Sequence, residues 1–142
     1  MSKKKIKALK IVPMERPKVC YIEPSMKAFR KAVNADNIKH GGVEAKKLDK
    51  RVFAVFNMDR FLANLEPNRC IGDDIIAGNM YIVAVDDKRF PISLTDEQIT
   101  KYSFRFWNVE AFDDMDVMEA NLNTLFSRCM IDEKWWQSNI YN

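Results

Sequence analysis

The amino-acid sequence predicts an α+β fold: a mixed or antiparallel sheet of five to six strands, one helix inserted after the second strand, and two helices at the carboxyl end. Three observations carry that expectation. Asn79 to Val85 is apolar on both faces, as a central strand covered on both sides must be. Thr95-Asp96-Glu97-Gln98 is a capping box that opens a helix, with two acids at the positive end of its dipole. After Asn108, Met115, Met118, Leu122, Leu125, Phe126 and Cys129 recur at helical spacing.

The remaining elements follow along the chain. Ile6 to Val12 reads as a first strand ended by Pro13, and Lys18 to Ile22 as a second. Ser25 is a natural N-cap, and Met26, Phe29, Ala32 and Val33 then share one helical face until Asn34, Asp36 and Asn37 end the run. Val43 to Leu48 and Arg51 to Phe56 pair as a hairpin around Asp49-Lys50. Met58 to Leu65 fits a short strand or a helical turn, and Pro67 ends either. Asp73-Asp74 and Ala77-Gly78 bracket Ile75-Ile76, where Gly78 is free to take a positive φ. Asp86-Asp87-Lys88 turns the chain into a strand from Arg89 to Ser93, and Pro91 places that strand at an edge. Ile99, Tyr102 and Phe106 give the capped helix its apolar stripe.

Gly41-Gly42-Val43-Glu44, Pro67-Asn68-Arg69, Asp74-Ile75-Ile76-Ala77-Gly78 and Ser93-Leu94-Thr95-Asp96-Glu97-Gln98-Ile99 occur in that order behind the Leu9 to Val12 strand. In these pieces the chain resembles an uncharacterised family of small proteins, catalogued only as a domain of unknown function, from bacteria, their phages and their mobile elements. The resemblance covers roughly the first three quarters of the chain. It departs from the family at Asn57-Met58-Asp59-Arg60, where an acidic turn is usual, and in the tail after about Asn108, which looks like an addition. The family has no activity to transfer. The expected organisation is an α+β core over residues 1–107 and a helical extension over residues 108–142 packed on it, a single domain overall.

Composition narrows the function classes. The chain has 142 residues, enough to bury a core without disulfides, and 47% hydrophobic with 30% charged residues suits a soluble globular protein. No apolar run approaches the length of a membrane span, and the basic start lacks an apolar signal core, so a cytoplasmic protein without membrane contact is expected. Cys20, Cys70 and Cys129 are an odd, widely spaced set, expected to be reduced. Three scattered cysteines and the single histidine, His40, make a poor zinc set, so no metal or cofactor is expected. A Cys-His nucleophile formed by His40 with Cys20 or Cys70 has no support in the spacing. Gly41-Gly42 lacks the spacing of a phosphate loop, and adjacent acids such as Asp113-Asp114 do not make a shared carboxylate site. The expectation is a protein without catalytic residues.

Charge is unevenly distributed. Residues 1–71 hold 17 Lys and Arg against 7 Asp and Glu, a net +10, whereas residues 72–142 hold 6 against 13, a net −7. The bland explanation is that the halves pack together and neutralise each other. The sharper one is that a pole meets an oppositely charged macromolecule. Glu110, Asp113, Asp114, Asp116 and Glu119 form an acidic face with no base between Phe106 and Arg128, and Trp135 and Trp136 offer an aromatic contact beside it. The leading expectation is therefore a non-enzymatic interaction protein, an inhibitor of a host nucleic-acid-handling or defence system acting through that acidic face on a protein partner. One alternative is a polar-ligand pocket in which Asn68, Arg69, Asp73 and Asp74 converge. Another is weak nucleic-acid binding through Lys3, Lys4, Lys5, Lys7 and Lys10 with Lys46, Lys47, Lys50 and Arg51, next to Phe53 as a stacking surface. Nothing in the sequence addresses the oligomeric state.

Overall fold

Alternating and doubly apolar segments build one sheet in the computed structural model, which describes residues 4–36, 42–59, 64–119 and 122. Strands β1 (Ile6–Ile11) and β2 (Lys18–Ile22) are followed by helix α1 (Met26–Ala32), then by β3 (Val43–Asp49) and β4 (Val52–Asn57). Next come β5 (Pro67–Ile71), β6 (Asp74–Ala77), β7 (Met80–Val85), β8 (Pro91–Ile92) and helix α2 (Asp96–Arg105). The main sheet runs β2-β1-β7-β4-β3 with β8 paired to β7, and every pairing is antiparallel. β5 and β6 form a separate two-stranded ribbon. The architecture is α+β, as the sequence predicts.

β7 sits at the centre because its side chains are apolar on both faces. Met80, Ile82 and Ala84 join Leu9, Ile11, Val52, Ala54 and Phe56 in a core closed by Leu94, Tyr102 and Phe106 and by Ile71 and Ile76 of the ribbon. Tyr81 and Val83 point the other way, into a smaller core with Ile6, Ala8, Ile22, Val55, Phe29 of α1 and Val33 at its C-cap. One face therefore carries α2 and the ribbon, and the other carries the short α1. Along β7, β1 pairs at Met80–Ile82 and β8 takes the same side further on, at Ala84–Val85. β8 bonds to β7 alone among the described residues, which suits its proline.

Both helix starts follow local chemistry. The Ser25 hydroxyl accepts the Ala28 N–H at 3.1 Å, and Thr95 and Gln98 bond each other reciprocally at the α2 N-terminus. Helix α1 ends in a Schellman arrangement: Asn34 lies at φ 60°, its N–H bonds Lys31 O, and Ala35 N–H bonds Arg30 O. Met26, expected on the buried face of α1, is 59% exposed, because it lies in the first turn, ahead of the Phe29 contact.

Two turns differ from expectation. The β5–β6 ribbon is absent from the sequence reading, which treats Pro67 as a terminator and Ile75-Ile76 as a bracketed pair. Its two-residue loop is Gly72-Asp73, with φ 60° at the glycine alone, the residue order of a type II′ turn. Arg89, expected in a strand, instead takes φ 70° at the end of the reversal. The Asp86 carboxylate organises that turn by accepting the N–H groups of Lys88 and Phe90.

Gly78 has φ 79° between β6 and β7, and its N–H bonds Glu66 O at 2.7 Å. A Cβ added there would meet Leu65 Cδ1 at 2.7 Å. Gly78→Val should therefore lower stability by about 2 kcal/mol through backbone strain and crowding. Urea unfolding checks this, and an unchanged midpoint would contradict the account.

Candidate functional site

Asn68 and Arg69 lie on β5, and both are fully buried. Asn68 Nδ2 donates to Ile11 O at 2.8 Å and to Gly78 O at 2.9 Å, bridging β1 and the entry to β7. The guanidinium of Arg69 is spent on oxygen acceptors. Nε donates to Phe106 O at 3.2 Å, Nη1 to Asn68 O and Oδ1 at 3.2 and 2.9 Å, and Nη2 to Glu15 O at 2.6 Å. Burial works against the charge, pulling the Arg69 pKa down, while the Glu110 carboxylate opposes that shift. An arginine whose fork is used in this way has little left for a ligand.

The pocket expected from Asn68, Arg69, Asp73 and Asp74 does not form. Asp73 is exposed in the ribbon turn, and Asp74 is exposed and paired with the Lys46 ammonium across from β3. The ribbon register explains the separation: Arg69 lies opposite Ile76 in the buried part, whereas Asp74 lies opposite Ile71 next to the turn, where both acids are exposed. A shallow hollow of about 340 Å³ does touch Arg69, but it opens towards Arg105, Asn108 and Glu110 instead.

The five acids also separate. Glu110 accepts the Cys70 N–H at 2.7 Å and so serves the β5 edge. Contacts divide the chain into two units, Met1–Ala111 and Phe112–Asn142, and Glu110 falls in the first. Asp113, Asp114, Asp116 and Glu119 fall in the second, at and within a helical stretch over 114–119. Asp113 and Asp116 form a reciprocal cap, with Asp116 N–H on Asp113 Oδ1 at 2.8 Å and Asp113 N–H on Asp116 Oδ2 at 3.2 Å. All four are exposed, and none has an ion pair among the described residues. Met115, Met118 and Leu122 stand exposed on the same stretch. Trp135, Trp136, His40 and Cys129 lie outside the described residues.

Part of the basic half is answered within the first unit. Lys7 meets Asp96 at 3.7 Å, Lys46 meets Asp74 and Arg51 meets Asp87, each a base of the first half with an acid of the second. Phe53 is half-buried beneath the Arg89 guanidinium, 5.8 Å from its centroid, so it is not a free stacking platform. Cys20 and Cys70 are unbridged and half-buried, and burial raises the Cys20 pKa, which disfavours a thiolate nucleophile there. No group of three or more His, Cys, Asp or Glu is placed to hold a metal among the described residues. No described helix is long and apolar enough to cross a membrane.

Residues 6–106, from the first residue of β1 to the Phe106 carbonyl held by Arg69, match the family model described as Domain of unknown function (DUF3846). The chain belongs to that family. Neither the curated proteins nor the solved structures contain a match. The DUF3846 match stops before Glu110 and leaves the acidic run outside it.

Sequence reasoning missed the apolar surface of the family region. Phe104 is 84% exposed on the outward side of α2, and Trp107 lies under the Arg16 guanidinium at 4.5 Å. The signal was available, because Phe104 falls opposite Tyr102 and Phe106 at 100° per residue.

Replacing Arg69 with Leu should cost about 3 kcal/mol or more, since Phe106 O, Glu15 O and Asn68 Oδ1 would lose a buried donor. Asp74→Asn should change stability by less than about 0.5 kcal/mol, as an exposed pair contributes little. Chemical denaturation of both variants checks the contrast, and equal effects would refute the structural role given to Arg69.

Proposed function

We propose that this DUF3846 protein is a non-catalytic interaction protein whose acidic extension engages a basic surface on a protein partner. The observation that carries the reading is a local concentration of acids. Asp113, Asp114, Asp116 and Glu119 fall within seven positions, with no Lys or Arg between Phe106 and Arg128, and face no base among the described residues, whereas Asp49, Asp74, Asp87 and Asp96 in the first unit each face a Lys or Arg. Uncompensated acids beside exposed Met115, Met118 and Leu122 have the composition of a docking element, with charge to steer and apolar side chains to bury. The engagement of Asn68 and Arg69 with internal oxygens supports the same reading, because it leaves the polar-ligand alternative few free donors. The bacterial, phage and mobile-element setting of the resembled family points to a cytoplasmic host system that handles nucleic acid or defends against it. A surface that normally receives phosphates would accept such an acidic face. Nucleic-acid binding by the amino-terminal half has less support, since Lys7, Lys46 and Arg51 already have acidic partners.

The test is capture of partners from a bacterial lysate, followed by affinity measurements on the purified partner across a salt series. Asp113→Asn, Asp114→Asn and Asp116→Asn together should retain the fold, because Asn also caps helices. They should slow association and flatten its salt dependence. An unchanged rate and salt slope in the triple variant would end the acidic-face reading. Loss of capture in a Phe104→Ser, Trp107→Ser variant with the acids intact would move the interface to α2.

A further inference from the structure

We infer that the sheet face beside α1 is a binding site for a small organic anion with an apolar body, held by Lys10 and Lys31. The site is independent of the acidic extension and of any protein partner. A hollow of about 370 Å³ lies there, with Lys10, Cys20 and Tyr81 from the sheet and Ala28, Lys31 and Ala32 from the helix. It lies between α1, which is only seven residues long, and the β1, β2 and β7 residues Lys10, Cys20 and Tyr81.

Strand register sets the charge of this hollow. Lys10 lies opposite Lys18 on β2 and opposite Tyr81 on β7, so two ammonium groups and a phenol form one row across the sheet face. Like charges directly opposite each other are unfavourable. Lys18 turns to Glu15 at 3.2 Å, but Lys10 is half-buried and neither it nor Lys31 has an ion pair among the described residues. No acid lines the hollow. The other polar groups do not cancel the charge. Burial pushes the Tyr81 phenol up to about 12 and raises the Cys20 thiol, so both stay neutral near pH 7. A half-buried cation without an ion pair among the described residues, set opposite a like charge on β2, is a natural receptor for an anion.

The rest of the hollow selects the body of that anion. Ala28 and Ala32 are small and Ile22 beside them is apolar, so hydrocarbon can lie against this side of the hollow, with Cys20, Tyr21 and Tyr81 as the remaining uncharged lining. The volume is at the lower end for small-molecule sites. It suits one or two rings or a short acyl chain bearing a carboxylate, sulfonate or phosphate.

The probe is 8-anilinonaphthalene-1-sulfonate, with the uncharged N-phenyl-1-naphthylamine as its counterpart. Fluorescence titration of the full chain should show saturable binding to one site, and backbone amide shifts should concentrate at Lys10, Cys20, Tyr81 and residues 28–32. Octanoate and phenyl phosphate should both displace the probe, and their order separates carboxylate from phosphate preference. Lys10→Gln with Lys31→Gln should weaken binding by about tenfold or more, and Lys10→Arg should retain most of it. The neutral probe should bind about tenfold more weakly, and added salt should narrow that gap. Folding of each variant is confirmed by its dispersed amide spectrum. The inference is overturned by equal affinity in the double Gln variant, by equal binding of the neutral probe, by shifts centred on Phe104 and Trp107, or by no saturable binding at all.

Discussion

One buried guanidinium joins parts of the first unit that no sheet hydrogen bond connects. Arg69 reaches the turn after β1 through Glu15 O, the end of α2 through Phe106 O, and its own strand through Asn68. Its planar fork suits this task, because several carbonyls can be satisfied from fixed directions at once. Lysine at this position would supply a mobile point charge and leave acceptors unmet. Asn68 extends the arrangement to Ile11 and Gly78, so two adjacent side chains anchor the ribbon against both β1 and the entry to β7. Asn57 does comparable work on the opposite face, donating to Val33 O and Asn34 O where α1 ends. In each case a buried polar side chain satisfies carbonyls that a helix end or loop would otherwise leave unpaired.

This economy has a functional consequence. Polar residues that might have formed a reactive site are occupied in holding segments together, and the chemistry available for recognition is displaced to the surface. Two kinds of surface remain. The first unit has paired charges, an exposed aromatic patch on and after α2, and a cationic hollow beside α1. The second begins with acids that have no bases beside them among the described residues. The uneven charge of the sequence therefore resolves into two separate facts. Part of the positive excess is neutralised by acids of the later half, and part of the negative excess stands outside the family region altogether.

The elements that sequence reasoning located well are those governed by nearest neighbours. The Ser25 cap, the Thr95–Gln98 capping box, the apolar run of β7, the β3–β4 hairpin and the positive φ of Gly78 each depend on residues within a few positions of one another. The β5–β6 ribbon was missed although its Gly-Asp loop is a recognised turn pair. Pro67 drew attention as a terminator when it is the first residue of a strand, where its missing N–H costs nothing. Arg69 and Asp74 are close in sequence, yet the ribbon register sets Asp74 opposite Ile71 beside the turn, where it is exposed, and Arg69 opposite Ile76, where it is buried.

Periodicity, capping and ordered motifs are local properties of the chain, and they were enough to establish the α+β class, the central strand, the helix starts and the membership of the family region. What the polar residues are for depends on packing. Whether Arg69 meets a ligand or a carbonyl depends on Glu15 and Phe106, which lie 54 and 37 positions away. Whether Lys10 is neutralised depends on which residues β2, β7 and α1 bring to its face of the sheet. Side-chain chemistry is written in the sequence, but its partners are set by packing, where the cost of burying an unpaired group selects the arrangement.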